Sequence, residues 1–380
     1  MNAENTQNKN PIELPDGTQW ELTGTFDAHY HSRQKKNGQL QIIIPHLVDE
    51  FGGGITMCNT DPPITTFELA QELRAEVYSE VPSGEEFDAH FTYYLTDEAD
   101  ADVIIEGYRR KLWIACKYMP HLGSTKTARA LSNFRNGYPI YERMEKEGVP
   151  LLLHGETVGD GIDPFDAPKR FIGEEMPELR KRFPKLSVCL EHIPDGDSAD
   201  YVAEAERNNE PTRATLTPQH FLYSRKRLFQ RGCRGEGTFK RGVNPSFVCW
   251  PLLQPADTDL FKIQREVRRG NTHLGLGTDR ALHDWTTKAC DDGCGGCYFG
   301  NLNLPAYARG FELIGAAEHF QNFACKNIPC GFYKLPAGKK RIRLTKCAAD
   351  PSWMPQSFEN GRFVPTLHGE AIPWRVEVIR

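Results

Sequence analysis

The composition of this 380-residue chain excludes several classes of protein. Its 46 basic and 51 acidic side chains give a formal net charge of −5, and the absence of a long basic run argues against a nucleic-acid partner. The first ten residues are polar and the apolar runs are short, which predicts neither a signal peptide nor a membrane segment. Eleven cysteines, an odd number, fit reduced thiols better than a disulfide framework. We therefore expect a soluble, cytoplasmic protein that binds small molecules.

Residues 1–19 are polar and aperiodic, so we expect a flexible leader followed by one domain over 20–380. In that domain, short apolar segments that predict strands alternate with amphipathic segments that predict helices. The predicted strands are 22–31, 55–58, 91–95, 113–119, 149–154, 187–192, 213–217 and 273–279. The predicted helices are 42–51, 97–111, 140–147, 171–183, 199–207 and 261–269, with another that begins at a capping box over 65–68 and ends at Pro82.

The alternation of eight strands with helices, without an internal repeat, predicts a (β/α)8 TIM-type barrel with a C-terminal extension. An open doubly wound sheet is the alternative, but no Gly-x-Gly-x-x-Gly follows the first strand. The Gly- and Arg-rich segment 225–242 is expected to be an irregular surface loop. The tail from residue 315 is expected to contain a helix at 319–326 and a hairpin near 368–370, and to pack against the barrel.

The first predicted strand ends with a pair of histidines, His29 and His31. Alternate side chains of a strand share a face, so this pair can hold one metal ion. Active sites of such barrels lie at the carboxyl ends of the strands, where further polar residues are expected to join the pair. These residues are Lys117, His154, His192 and Asp279. Each alone is compatible with a structural role, but their convergence on one face favours a functional site.

The motifs around these strand ends resemble those of the amidohydrolase superfamily, and more narrowly those of dihydroorotases of the shorter, single-function bacterial type. The motifs are DAHYHSR at 27–33, MCNTDPP at 57–63, KYMP at 117–120, HGE at 154–156, LEHI at 190–193, ATLTPQH at 214–220, GTDRALH at 277–283 and CGGC at 294–297. Their combination is specific, whereas any one of them alone would not be.

The resemblance implies two zinc ions per chain, bridged by a hydroxide and by Lys117 after CO2 has carboxylated its amine. One zinc would be bound by His29, His31, the modified Lys117 and Asp279. The other would be bound by the modified Lys117, His154 and His192. An unmodified lysine ammonium has no lone pair and cannot bind a metal, so the modification accounts for a lysine at this position.

The reaction implied by the resemblance is the reversible cyclisation of N-carbamoyl-L-aspartate to L-dihydroorotate in pyrimidine biosynthesis. In ring opening, the hydroxide would attack the amide carbonyl and Asp279 would carry the proton to the leaving nitrogen. Arg33 suits the substrate carboxylate through a bidentate contact. Further implied contacts are the side chains of Asn59 and His283, main-chain groups of Trp250 and Gly295, and a lid at Ser124 and Thr125, where the family has two threonines.

Two other functions are compatible with the sequence. A dihydropyrimidinase or hydantoinase would share the metal chemistry, but its substrate lacks the ring carboxylate that Arg33 would bind. A non-catalytic barrel that serves as an assembly partner is disfavoured, since every implied ligand is present. For the enzyme, we expect a homodimer.

Other conspicuous residues are expected to be structural. Cys290, Cys294 and Cys297 lack a fourth ligand at the usual spacing of a zinc site. His220, His273 and His319 are interpreted as structural histidines, and the run 339–341 as a solvated charged face.

Overall fold

The computed structural model describes residues 12–124, 126–231, 240–290, 294–348 and 357–379. The strands are β1 (Gln19–Thr23), β2 (Phe26–Tyr30), β3 (Gly53–Thr56), β4 (Asp88–Tyr94), β5 (Ala115–Tyr118), β6 (Leu151–Leu153), β7 (Val188–Leu190), β8 (Thr212–Leu216), β9 (Gln230–Arg231), β10 (Lys240–Arg241), β11 (Leu274–Leu276), β12 (Arg341–Lys346) and β13 (Trp374–Ile379). Eight of them, β2 to β8 and β11, form a parallel sheet in which neighbours follow chain order. This arrangement confirms the predicted (β/α)8 barrel.

Helices pack around the barrel and cover its strands. They are α1 (Leu40–Val48), α2 (Phe67–Ser79), α3 (Ala101–Arg109), α4 (Tyr138–Glu147), α5 (Ala167–Arg182), α6 (Gly196–Arg207), α7 (Pro218–Leu222), α8 (Phe261–Arg268), α9 (Trp285–Lys288), α10 (Asn303–Ile314) and α11 (Ala317–Cys325). Each predicted helix is present, with one or both of its ends shifted by a few residues. The N-cap of α2 is Thr66 and not Thr65. The Thr66 hydroxyl accepts a hydrogen bond from the Leu69 N–H. No helix in the described ranges is long and apolar enough to cross a membrane.

The first predicted strand, 22–31, is in fact two strands. Gly24 separates them with a φ of +81°, and a side chain there would clash with the backbone of Gly338. The residues before it form β1, which pairs antiparallel with β12, while the residues after it enter the barrel as β2. The prediction of one strand was wrong because the residues on both sides of Gly24 have a strand-like pattern. The turn at Gly24 depends on its close approach to Gly338, which is distant in the chain.

The C-terminal extension packs against the barrel through α11 and a three-stranded antiparallel sheet of β1, β12 and β13. The predicted helix at 319–326 is α11. The predicted hairpin near 368–370 was wrong, because those residues lie in turns and β13 pairs with β12, far earlier in the chain. The prediction that 339–341 form a solvated charged face is wrong for Lys340. Its ammonium donates a hydrogen bond to the Val48 carbonyl and forms an ion pair with Glu85.

The segment 225–242 is more regular at its ends than predicted. A 3₁₀ helix over Arg225–Phe229 is followed by β9, which pairs antiparallel with β10. The centre of the segment, 232–239, lies outside the described residues.

The barrel closes between β2 and β11 through side chains as well as backbone. The Asp27 carboxylate accepts hydrogen bonds from the Thr278 N–H at 2.9 Å and the Thr278 hydroxyl at 2.6 Å. Arg280 lies between two carboxylates, 3.6 Å from Asp27 and 2.9 Å from Glu50, and all three side chains are fully buried. Buried charges of this kind are tolerated only when they are paired.

Substitution of Arg280 tests this seam. We expect Arg280→Met to lower the free energy of unfolding by about 3–5 kcal/mol, because it leaves two buried carboxylates without a cation. The control is Arg343→Met, whose pair with Glu21 is solvent-exposed and worth less than about 1 kcal/mol. Urea denaturation of both variants gives the comparison, and equal losses would contradict the importance assigned to the seam.

Candidate active site

The polar residues that end the barrel strands meet in one pocket. His29 lies on β2 and Lys117 on β5, while His154, His192 and Asp279 closely follow β6, β7 and β11. The pocket is lined by His29, His31, Arg33, Asn59, Ser124, His154, His192, Trp250, Asp279 and Gly295. The structure thus gathers nearly all the residues for which the sequence analysis predicts a role, with Lys117 buried beneath them.

The period of two in the strands explains this arrangement. Ala115 on β5, Leu152 on β6 and Cys189 on β7 belong to one buried apolar cluster. Two residues further along each strand, and therefore on the same face, stand Lys117, His154 and Glu191. A polar layer consequently lies directly above an apolar one.

The imidazoles form a row across the pocket. The ring centres of His29 lie 5.3 Å from His31 and 5.0 Å from His192, and that of His154 lies 4.6 Å from His192. An Asp279 carboxylate oxygen lies 3.0 Å from Nε2 of His31 and 3.3 Å from Nε2 of His29. Nitrogen and oxygen donors from four strand ends are therefore adjacent.

The electrostatics of the pocket favour a bound cation. Burial opposes the ionised form of Asp279, but its close contacts with His29 and His31 hold its pKa well below the usual range. Burial also opposes protonation of His29, yet Glu191 and Asp279 raise its pKa to about 9. Burial lowers the pKa of His31 to about 4 and that of His192 well below its usual value, so both keep a neutral ring with a free lone pair.

Glu191 is the site residue that sequence reasoning missed. It occurs in the LEHI motif, but no role was predicted for it. Its carboxylate is buried, forms an ion pair with the Lys117 ammonium and lies 3.1 Å from Nδ1 of His29. An acidic residue directly after the apolar run Val188–Leu190 was the available indication, since a buried carboxylate requires a partner.

Other pocket residues orient the histidines. Nε2 of His154 lies 2.5 Å from the buried Glu156 carboxylate, and Nδ1 of His31 lies 2.8 Å from Oδ1 of Asn59. Such contacts fix the orientation of the ring and select its tautomer. Asn59, predicted to contact substrate, is thus engaged with His31, and Glu156 is a second residue for which the sequence predicted no role.

Arg33 and Gly295 line one side of the pocket, and His283 contacts both of them. We call these three residues the recognition wall. Nε2 of His283 lies 2.9 Å from an Arg33 amino group and 3.1 Å from the Gly295 carbonyl oxygen. Burial and the nearby Arg33 hold the pKa of His283 well below its usual value, so its neutral ring can accept from the guanidinium. Gly295 has no room for a side chain, because a Cβ there would lie 2.0 Å from the Trp250 ring.

In the part of the chain that the structure describes, two groups of buried residues could hold a metal ion, and the ligand atoms within each group lie within 4.8 Å of one another. The first group, His29, His31 and Asp279, consists of predicted ligands. The second, His29, Glu191 and His192, shares only His192 with the predicted second set and contains His29 and Glu191 in place of Lys117 and His154.

The predicted lid is described in part. Ser124 lines the pocket, and its backbone N–H and carbonyl both bond to the Thr127 hydroxyl, at 3.2 and 2.7 Å. Thr125, the other predicted lid residue, lies outside the described residues.

Comparison with known proteins relates this site to a family. No family model matches the chain. A dihydroorotase of Cronobacter sakazakii is 35% identical over 353 residues, which cover 92% of this chain and 96% of that protein. A dihydroorotase of Delftia acidovorans is 34% identical over 358 residues, which cover 93% of this chain and 97% of that protein. The chain belongs to the dihydroorotase family.

Solved structures share the fold of this dihydroorotase family member. A dihydroorotase from Saccharomyces cerevisiae, in complex with 5-fluoroorotic acid, matches with a TM-score of 0.82 and 24% identity over 95% of this chain and 98% of that chain. An L-hydantoinase from Arthrobacter aurescens matches with a TM-score of 0.75 and 14% identity over 95% and 84%. Because both kinds of enzyme match, the barrel alone does not separate the two activities.

Glu191 can be tested as a partner of the candidate metal ligand His29. We expect Glu191→Gln to weaken zinc binding by about 10- to 100-fold, because the ring loses the carboxylate that orients it and raises its basicity. Competition with a chromophoric chelator measures the affinity. The control is Glu175→Gln, which removes an ion pair with Arg135 on the protein surface. Unchanged zinc affinity in Glu191→Gln would restrict Glu191 to pairing with Lys117.

Proposed function

We propose that this protein is a zinc-dependent dihydroorotase that interconverts N-carbamoyl-L-aspartate and L-dihydroorotate. The observation that carries the proposal is the buried cation Arg33, which lines the same pocket as His29, His31 and Asp279. A cyclic amide that bears a ring carboxylate requires both a cation and a hydrolytic centre. A substrate without that carboxylate requires the hydrolytic centre alone.

The donor set fits two zinc ions. Imidazole nitrogens and carboxylate oxygens are zinc ligands, and Nδ1 of His192 is buried without a hydrogen-bond partner among the described atoms. One ion would be held by His29, His31, Lys117 and Asp279, and the other by Lys117, His154 and His192. When bound, zinc lowers the pKa of water to about 7 and polarises a carbonyl group.

Lys117 would join both ligand sets as an N-carboxylysine. The addition of CO2 to the neutral amine forms a carbon–nitrogen bond, releases a proton and replaces a cation by an anionic oxygen donor. Lys117 is fully buried and surrounded by His29, Glu191 and His192, so it is shielded from water. Glu191 would then retain His29 as its partner.

Asp279 would move the proton of the reaction. Its pKa lies well below the usual range, so the carboxylate is ionised at neutral pH and can accept a proton from the attacking water. In ring opening, water adds to the amide carbonyl carbon, the ring carbon–nitrogen bond breaks, and Asp279 delivers the proton to the departing nitrogen. The contacts from His29 and His31 keep this carboxylate in place during the transfer.

The recognition wall would bind the substrate carboxylate. Arg33 is buried, and although burial lowers its pKa to about 10, it remains a cation at neutral pH. Its guanidinium is held by neutral acceptors, the Leu282 carbonyl and His283, so its charge is available to an anion. Asn59 and main-chain groups of Trp250 and Gly295 would complete the substrate contacts, and Ser124 and Thr125 would close over them.

Substitution of Lys117 tests the metal centre. We expect Lys117→Ala to lower kcat/KM for dihydroorotate by more than about 10³-fold, since the metal contribution to the barrier is several kcal/mol. Elemental analysis should show less zinc per chain than in the wild type. The control is Lys146→Ala, which removes an exposed pair with Glu142. A metal-replete wild type that is inert toward both dihydroorotate and carbamoyl-aspartate would contradict the proposed function.

Substitution of Arg33 separates the two enzyme classes. We expect Arg33→Met to lower kcat/KM for dihydroorotate by about 10- to 100-fold, the value of a charge-assisted hydrogen bond. The rate with dihydrouracil, which has no carboxylate, should change little. The control is Arg362→Met, a cation already paired with Asp284. Equal losses with both substrates would favour a dihydropyrimidinase or hydantoinase.

We further propose a cytoplasmic homodimer, on the resemblance to bacterial dihydroorotases. The alternative of a non-catalytic scaffold is disfavoured by the two candidate metal groups in the described residues. A native protein that contains no metal would support the scaffold instead.

A further inference from the structure

Lys126 follows Ser124 by two residues, borders a cavity next to the pocket, and has no role in the function proposed above. It lines a cavity of about 670 Å³ together with Arg33 and His283 of the recognition wall. The cavity is open to solvent and adjoins the pocket, since Arg33 lines both. A ligand held by Arg33 is thus accessible from the side on which Lys126 stands.

The backbone at Lys126 is held in a defined position. The Tyr94 hydroxyl donates to the Lys126 carbonyl at 3.2 Å, and the Thr127 hydroxyl closes the turn by its two bonds to Ser124. Lys126 has a φ of +60°, a conformation that L-residues adopt only when their surroundings impose it. The side chain therefore projects from a fixed base.

Most other cations of this cavity already have partners. Lys35 pairs with Glu80 at 2.6 Å, Arg362 pairs with Asp284 at 3.1 Å, and Lys36 donates to the Asp61 carbonyl at 2.6 Å. Their charges are compensated by groups of the protein itself.

Lys126 is different. Among the described residues, none forms a hydrogen bond or an ion pair with its ammonium. Partial burial and the neighbouring cations Arg33 and Lys36 lower its pKa, although the Asp61 carboxylate acts in the opposite direction. Arg33 itself donates hydrogen bonds to two neutral groups, the Leu282 carbonyl and the His283 ring. Lys126 and Arg33 thus border one cavity, and neither forms an ion pair with a carboxylate of the described residues, an arrangement that favours the binding of an anionic group.

We propose that Lys126 is a specificity-determining residue that supplies a second cation, beside Arg33, for the carboxylate of the substrate. The inference rests on the proposed dihydroorotase function and adds a binding residue to it. Arg33 can hold both carboxylate oxygens in its planar fork, while the flexible Lys126 adds a point charge from the solvent side. Lys126 should therefore act on substrate capture and leave the chemical step to the deeper residues.

Steady-state kinetics of Lys126→Gln test the inference. We expect KM for dihydroorotate to rise about three- to tenfold with kcat changed less than about twofold, because an exposed charge contributes modestly to binding. The increase of KM with salt concentration should become shallower in the variant, because a screened attraction has been removed. Lys126→Arg should restore a KM close to that of the wild type.

Lys36→Gln is the matched control, since it removes a cation of the same cavity that is already bonded to the protein. An unchanged KM and salt dependence in an active Lys126→Gln would overturn the inference alone. An equal rise of KM in Lys36→Gln would also overturn it, because the effect would then belong to surface charge in general. A wild type that does not turn over dihydroorotate would overturn the proposed function and this inference with it.

Discussion

The active site depends on how the barrel is closed. In the described residues, β2 and β11 share no continuous ladder, and the Asp27 carboxylate holds them by accepting from the N–H groups of His29 and Thr278. The Asp279 N–H in turn donates to the His29 carbonyl at 2.8 Å. Residues from the two ends of the barrel therefore reach the same pocket. Because Arg280 compensates the buried Asp27, the contacts that stabilise the seam also bring the candidate ligands together.

Charge is arranged in two layers above the apolar interior of the barrel. The deeper layer contains the Asp279 and Glu191 carboxylates among the imidazoles, and the raised pKa of His29 shows that positive charge is favoured there. The outer layer contains the cations Arg33 and Lys126. Negative charge below and positive charge above is the order that the proposed metal-assisted hydrolysis of an anionic substrate would require.

Several residues of the pocket have a positive φ, a backbone conformation that is unfavourable for residues other than glycine. Arg33, His192 and Asp279 have φ values of 59°, 45° and 48°. Each such residue costs about 1–3 kcal/mol, and such strain occurs where a structure requires a particular side-chain direction. All three follow a barrel strand, where the chain turns sharply and directs the side chain over the pocket. Local sequence did not indicate these turns, because none of the three residues is glycine.

The sequence by itself determined the barrel strands and the identity of the residues that end them. Alternation and strand ends are local features, so the order of residues along the chain is enough to place His29, Lys117 and Asp279 at one end of the barrel. The tertiary structure alone decided the division of the first strand at Gly24, and the contacts of Glu191 with His29 and Lys117. These features depend on residues that are far apart in the chain, and no local pattern specifies which buried charge will meet which partner.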